Sequence, residues 1–252
     1  VIRFILTLTT VGFAFSPLCS GETVIKSKEV NATLVELYSS EGCSSCPPAE
    51  AWISKLKNAP GLWTEFFPVV FHVDYWDGLG WPDRFAQASF TQRQRTYAQR
   101  LGQESVYTPE FVVNGRQWKG WFHGDQLSAA DSASKGDLTL TVEAEVKKMS
   151  GSFNPSSGSA SQPYTLNVAL LGFHLITDVK RGENGGRQLE HDFVVLKFFS
   201  KSLAPVQGRG LQSGELAFGG LADRPGAVVA WVTEADGTIV QVAGGWLKPN
   251  AP

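Results

Sequence analysis

Cys43 and Cys46, in the run CSSC, are the residues of this 252-residue chain whose type and spacing best suit chemistry. Two thiols separated by two residues can form a redox couple, half of a metal clamp, or a structural staple. A disulfide across so short a loop removes little entropy from the unfolded chain, so a staple explains the spacing poorly. A closed zinc site needs about four ligands. The chain has three cysteines and four histidines, at positions 72, 123, 174 and 191, with no second CxxC and no HxxxH. Haem attachment fails because Pro47, not histidine, follows Cys46. A couple that opens and closes fits best: one thiolate attacks a partner and the other resolves the mixed disulfide. No metal and no separate cofactor are expected.

Such a pair needs a strand to deliver it and a helix start to favour its thiolate. The run ATLVELYSS (32–40) reads as that strand, and a helix is expected from about Pro48 to Leu56. Pro47 and Pro48 both lack an N–H, which places the start of the regular helix at Pro48 and leaves Cys43 farther from its N-terminus. FFPVVFHVDYW (66–76) is a second strand, apolar enough to be covered on both faces. A helix opened by Pro82 and closed by Gly102 follows. Two strands joined by Asn114-Gly115 come next, the strongest short hairpin signal. A short helix in HGDQLSAADSASK completes the order β-α-β-α-β-β-α.

Composition shifts after residue 135. GDLTLTVEAEV alternates as a half-buried strand does, and 150–163 is rich in Gly, Ser and Pro and reads as a loop. Further strands are expected in YTLNVALLGF, DFVVLKFFS, AVVAWVTE and IVQVAGGWL. This half is expected to be an all-β, sandwich- or barrel-like domain over 136–252, beside a first domain over 32–135.

The N-terminus carries Arg3 and then an apolar run from Phe4 to Phe15, short of the ~20 residues a membrane span needs. Small residues at Ser16, Cys19, Ser20 and Gly21 suit cleavage, so 1–21 is expected to be a signal peptide and the mature chain periplasmic or secreted. Leu18 stands where a lipobox has a small residue, which argues against a lipid anchor at Cys19. No later segment is long and apolar enough to span a membrane. A net charge of −2 and a pI near 6.1 leave no electrostatic footprint for nucleic acid.

Some sixty residues after the pair, VYTPEF carries Thr108-Pro109 into a strand. With the order of elements over 32–134, this resembles the thioredoxin superfamily. The resemblance implies an α/β thioredoxin-like N-terminal domain, a central mixed sheet with helices. It further implies a cis Pro109, Thr108 pairing with a substrate segment, Cys43 as the attacking thiol and Cys46 as the resolving one. A buried carboxylate on the preceding strand assists the second cysteine in that pattern, and Glu36 is the nearest match, one residue farther from the pair than usual. Tyr75 and Trp76 would then share the edge of the pair and line a groove for a peptide or small thiol. The plainer alternative packs these aromatics under the following helix, with Asp74 and Asp77 capping the strand end.

ELYSSEGCSSCPPAE, HVDYWDGLGW, RQRTYA, VYTPEFVVNG and RGENGGRQLEH together resemble a bacterial family of secreted thioredoxin-like proteins catalogued as domain of unknown function 1223 (DUF1223). The expectation is an exported thiol–disulfide oxidoreductase acting on a redox partner protein or thiol substrate. The alternative is a non-catalytic thioredoxin-fold binding protein whose CxxC is a structural disulfide. His191, with no nucleophile motif beside it, reads as structural or interdomain.

Overall fold

The computed structural model describes residues 22–29, 32–127, 136–143, 148–156, 162–207, 210–219 and 221–247. The leader expected over 1–21, with Cys19, lies outside them. In chain order come β1 (Thr23–Lys26), β2 (Thr33–Ser39), α1 (Cys46–Ser54) and β3 (Phe66–His72). They are followed by α2 (Ala88–Arg100), the hairpin β4 (Glu110–Val113) and β5 (Arg116–Trp118), and α3 (Gly120–His123). Among the described residues the remaining elements are all strands: β6 (Gly136–Val142), β7 (Lys148–Pro155), β8 (Thr165–Gly172), β9 (Leu175–Asp178) and β10 (Gln188–His191). After them run β11 (Val194–Ser202), β12 (Ala204–Pro205), β13 (Leu211–Ala217), β14 (Ala227–Thr233) and β15 (Ile239–Trp246). None of the described helices is long and apolar enough to cross a membrane.

The described residues are mostly β, 44% strand against 16% helix, with three α-helices. This overturns the expected α/β thioredoxin-like N-terminal domain, a central mixed sheet with helices. Strands β2 to β5 form one end of an eight-stranded sheet, ordered β15-β14-β8-β11-β3-β2-β4-β5, whose other four strands come from the second half. Strand β3 runs parallel to both β2 and β11, and every other pairing in the sheet is antiparallel. The physical reason is edge satisfaction. With only β2 beside it, β3 would leave its other edge of buried N–H and C=O groups bare, and β11 joins that edge at Val70, whose N–H donates to the Phe193 carbonyl at 2.9 Å. Periodicity tells that β3 is buried on both faces but not which strand lies next to it.

A second sheet, β1-β6-β7-β13-β12, packs on one face of the first, and β9-β10 form a separate ribbon. Strands β8 and β14 serve two cores by their two-residue alternation. Val168, Leu170, Val228 and Ala230 face Leu138, Leu140 and Phe153 of the second sheet. Ala169, Leu171, Val229 and Trp231 face the other way, into a core shared with Phe71, Phe90 and Tyr97. Each such large side chain fully buried contributes about 1.5–3 kcal/mol. The loop expected over 150–163 is in part strand β7, with Met149, Gly151 and Phe153 inward. Its Ser and Gly content masks the alternation. Helix α2 starts at Ala88 rather than near Pro82, because Asp83 instead makes a turn with its carboxylate on the Phe85 N–H.

Register brings the functional segments together. Ser39 at the end of β2 pairs with His72 at the end of β3, and Tyr38 pairs with Glu110 at the start of β4. The CxxC loop, the β3 exit and the Thr108-Pro109 peptide therefore meet at one edge of the sheet.

Candidate functional site

The CxxC loop leaves β2 and closes with the Cys46 N–H on the Cys43 carbonyl at 3.2 Å. Helix α1 begins at Cys46, with Ser45 as N-cap, not at Pro48 as the paired prolines suggested. Pro47 and Pro48 occupy its first turn, where backbone N–H groups lack helical partners and their loss costs nothing. Both cysteines are buried free thiols. The Cys43 sulfur lies 3.2 Å from the Ser45 hydroxyl and 3.8 Å from the Thr108 carbonyl, which accepts from the thiol. The Thr108-Pro109 peptide is cis.

The two thiols are driven apart electrostatically. The hydrogen bond from Cys46 lowers the Cys43 pKa against opposing burial, and the Ser45 and Thr108 side chains add to the fall, to about 6. Burial raises the Cys46 pKa, and its neighbour Cys43 raises it further. Cys43 is thus the more acidic thiol of the pair and Cys46 the one that holds its proton more tightly.

The turn between β9 and β10, far away in sequence, clamps this loop. The Asn184 side-chain amide is buried and donates to the carbonyls of Glu41 (2.9 Å) and Cys43 (3.0 Å), and the Ser44 N–H donates to Glu183 (3.0 Å). Replacing Asn184 by alanine strands two carbonyl acceptors. A loss of about 1–3 kcal/mol is expected in urea unfolding, against under 0.5 kcal/mol for a neutral surface change.

Behind Cys46 lies a buried acid–imidazole network that the sequence reading missed. The Ser39 hydroxyl, whose proximity lowers the Cys46 pKa, donates to Glu50 Oε1, and Glu50 Oε2 pairs with His191 Nδ1. His191 Nε2 is 3.4 Å from Glu41 Oε1, whose other oxygen accepts from Trp81 at 2.7 Å. His72 Nδ1 pairs with Asp83 Oδ2 at 2.6 Å, and the two imidazole centroids are 5.2 Å apart. Burial opposes charge on His191, yet Glu50 and Glu41 outweigh it and lift its pKa to about 10. One signal was available: Glu50 is four residues after Cys46, on the same helix face. The partnership with His191 crosses 141 residues and leaves no local trace.

The other expected site residues divide. Thr108 and Pro109 line a groove of about 500 Å³ beside Ser45 and Pro48, walled by Trp118, Trp121 and Phe122. Tyr75 and Trp76 do not line it but brace it: Trp76 Nε1 donates to Thr108 Oγ1 at 2.8 Å. Tyr75 bonds Gln94, which in turn holds the Tyr107 carbonyl. Glu36 lies elsewhere in function. Its carboxylate accepts from Arg93, Tyr38 and Tyr97, with no bond to either thiol.

A family model described as "Protein of unknown function (DUF1223)" matches residues 34–233. No curated protein matches the chain. Among solved structures, protein AGR_C_4864 from Agrobacterium tumefaciens is similar at 22% identity and a TM-score of 0.56, over 90% of this chain and 98% of that one. HBP35 of Porphyromonas gingivalis is similar at 15% identity and a TM-score of 0.58, over 90% of this chain and 79% of that one. At these identities the likeness is one of fold.

Proposed function

The chain belongs to this family of unknown function, DUF1223, and for it we propose thiol–disulfide oxidoreductase activity at Cys43 and Cys46. The observation that carries this reading is the placement of two free thiols at the start of α1, with Cys43 Sγ against the Thr108 carbonyl beside the cis Pro109; the opposite displacement of the two thiol pKa values supports it. A staple has no use for that asymmetry; an attacking thiolate beside a protonated resolving thiol depends on it.

In the reducing direction the Cys43 thiolate attacks one sulfur of a substrate disulfide. A Cys43–substrate bond forms, and the substrate's other sulfur leaves as thiolate and takes a proton. Cys46 then loses its proton, toward Ser39 and Glu50, and attacks Cys43 Sγ. The second substrate thiol is released; two electrons have passed from the pair to the substrate, with one proton from Cys46 and the other from solvent. The Thr108 backbone beside Cys43 would pair with an extended substrate segment. The Trp118, Trp121 and Phe122 wall, with Phe122 75% exposed, suits a polypeptide with an apolar side chain near its cysteine. Export, suggested by the apolar run from Phe4 to Phe15, would place the pair where disulfides persist.

Equilibration of the purified chain in glutathione redox buffers tests the reading. A reversible two-electron couple between about −120 and −270 mV is expected. Cys46→Ala should accumulate a mixed disulfide with glutathione that Cys43→Ala does not form. A pair that stays oxidised in excess dithiothreitol, or no mixed disulfide in Cys46→Ala, would leave a non-catalytic binding protein as the better description.

A further inference from the structure

The four histidines are scattered in sequence, and on that ground no metal site was expected. The fold instead brings His72 and His191 together against Glu50, all three buried, each offering a ligand atom within 4.8 Å of the others'. His72 Nδ1 is taken by Asp83, which leaves Nε2, and that atom is buried with no hydrogen-bond partner among the described residues. The Nε2 of His191 and Oε1 of Glu41 are likewise buried without a hydrogen bond, 3.4 Å apart. Those two at least face each other as an ion pair, whereas an orphaned ring nitrogen at such depth costs about 1–3 kcal/mol, so His72 Nε2 calls for an explanation.

We propose that His72, His191 and Glu50 form a three-ligand site for a divalent transition-metal ion of the zinc class. Two imidazoles and a carboxylate are the donor set such ions take, with a fourth position open. His72 would bind through Nε2 and His191 through Nδ1, with Glu50 as the oxygen ligand. The surrounding shell is already built. Asp83 holds the far nitrogen of His72, Glu41 faces the far nitrogen of His191, and Ser39 donates to Glu50. A carboxylate behind each metal-bound imidazole is what fixes ring orientation and raises ligand basicity. The cation would replace the proton shared by His191 and Glu50. The two groups would part to about 3.3 Å, the separation that two ~2.0 Å bonds at a tetrahedral angle require. Among the described residues no lysine or arginine pairs with Glu41, Glu50 or Asp83, so two imidazoles are all that face three buried carboxylates. Access runs through a cavity of about 190 Å³ lined by Pro47, Glu50, Glu190 and His191.

The thiols can bind metal themselves, so the test uses the full chain with Cys43→Ser and Cys46→Ser, freed of metal by dialysis against chelator. Titration with Zn²⁺ by calorimetry should show one equivalent. Co²⁺ should give the intense visible bands of a four-coordinate ion without thiolate charge transfer. His72→Gln or His191→Gln in that background should weaken binding by at least about 100-fold, and Asp83→Asn by about 10- to 100-fold. X-ray absorption of the zinc-loaded Cys-free chain should count two imidazoles, a readout that holds even if the histidine variants fold poorly. No binding in the Cys-free chain, binding unmoved by the folded histidine variants, or fewer than two imidazoles would overturn the site. The last two results would point instead to adventitious binding, for which the exposed His174–Glu190 pair with Asp192 is the available cluster.

Discussion

Replacing Cys46 by alanine should move the alkylation midpoint of Cys43 from about 6 toward the ordinary thiol range, because the largest contribution to the low value is the hydrogen bond from Cys46. The sign follows from the donor. A thiol proton shared with a neighbouring sulfur stabilises that sulfur's anion, so losing the donor favours protonation and raises the pKa. The midpoint is the quantity to measure rather than the rate at one pH. If the midpoint rose to ~8.5, the thiolate fraction at pH 7 would fall about 30-fold. The more basic thiolate is intrinsically more nucleophilic, by about tenfold over that range at a Brønsted coefficient of 0.4–0.5. The net rate at pH 7 would fall only about threefold, a change easily mistaken for none. An iodoacetamide pH profile separates the two: wild type half-maximal near pH 6, Cys46→Ala two or more pH units higher. A Cys46→Ala profile that overlays wild type would remove the basis for assigning attack to Cys43. Ser45→Ala should shift the midpoint upward by less, since its hydroxyl contributes after Cys46 and burial.

What the sequence could disclose of this site followed locality. The strand before the pair, the hairpin at Asn114-Gly115 and the strand into β4 were legible, because alternation and turn chemistry act over a few residues. Asn114 and Gly115 both take positive φ, as a two-residue hairpin turn requires. The sheet itself was not legible. Val194 pairs with Val70, 124 positions earlier, and nothing in either strand's pattern names the other. The same holds for chemistry. Cys43, Cys46 and Pro109 were found from spacing and resemblance, whereas Asn184 and His191 reach the loop from the second half by tertiary contacts alone. Glu36 is singled out in the sequence by the resemblance, which implies a buried strand carboxylate assisting the second cysteine. Its partner in the structure is Arg93 on α2, with no bond to either thiol.

Arg93→Met should therefore be the most destabilising single substitution considered, without disturbing the thiols. Glu36 is fully buried, and Arg93, only 17% exposed, meets it through Nε at 2.9 Å and Nη2 at 3.1 Å. Tyr97 and Tyr38 donate their hydroxyls to the same carboxylate. The guanidinium also lies 5.1–5.3 Å from the ring centres of Phe71, Tyr97, Phe198 and Trp231. Methionine keeps the apolar stem but removes the charge, leaving a carboxylate in the core with two neutral donors. Breaking one side of such a pair costs about 3–5 kcal/mol, a third or more of the stability of a typical domain. Urea unfolding at 25 °C measures it. Glu36→Gln in the Arg93→Met background should restore part of the loss, because the unpaired charge rather than the missing contact dominates the penalty. Arg93→Lys should not rescue as well, since an ammonium cannot make the two-pronged contact or lie flat among four rings. The alkylation midpoint of Cys43 should stay near 6 in the folded Arg93→Met chain, because this ion pair makes no bond to the CxxC loop. A midpoint that moved with Arg93, or a loss below about 1 kcal/mol, would mean that Glu36 serves the thiols after all rather than tying α2 to the centre of the sheet.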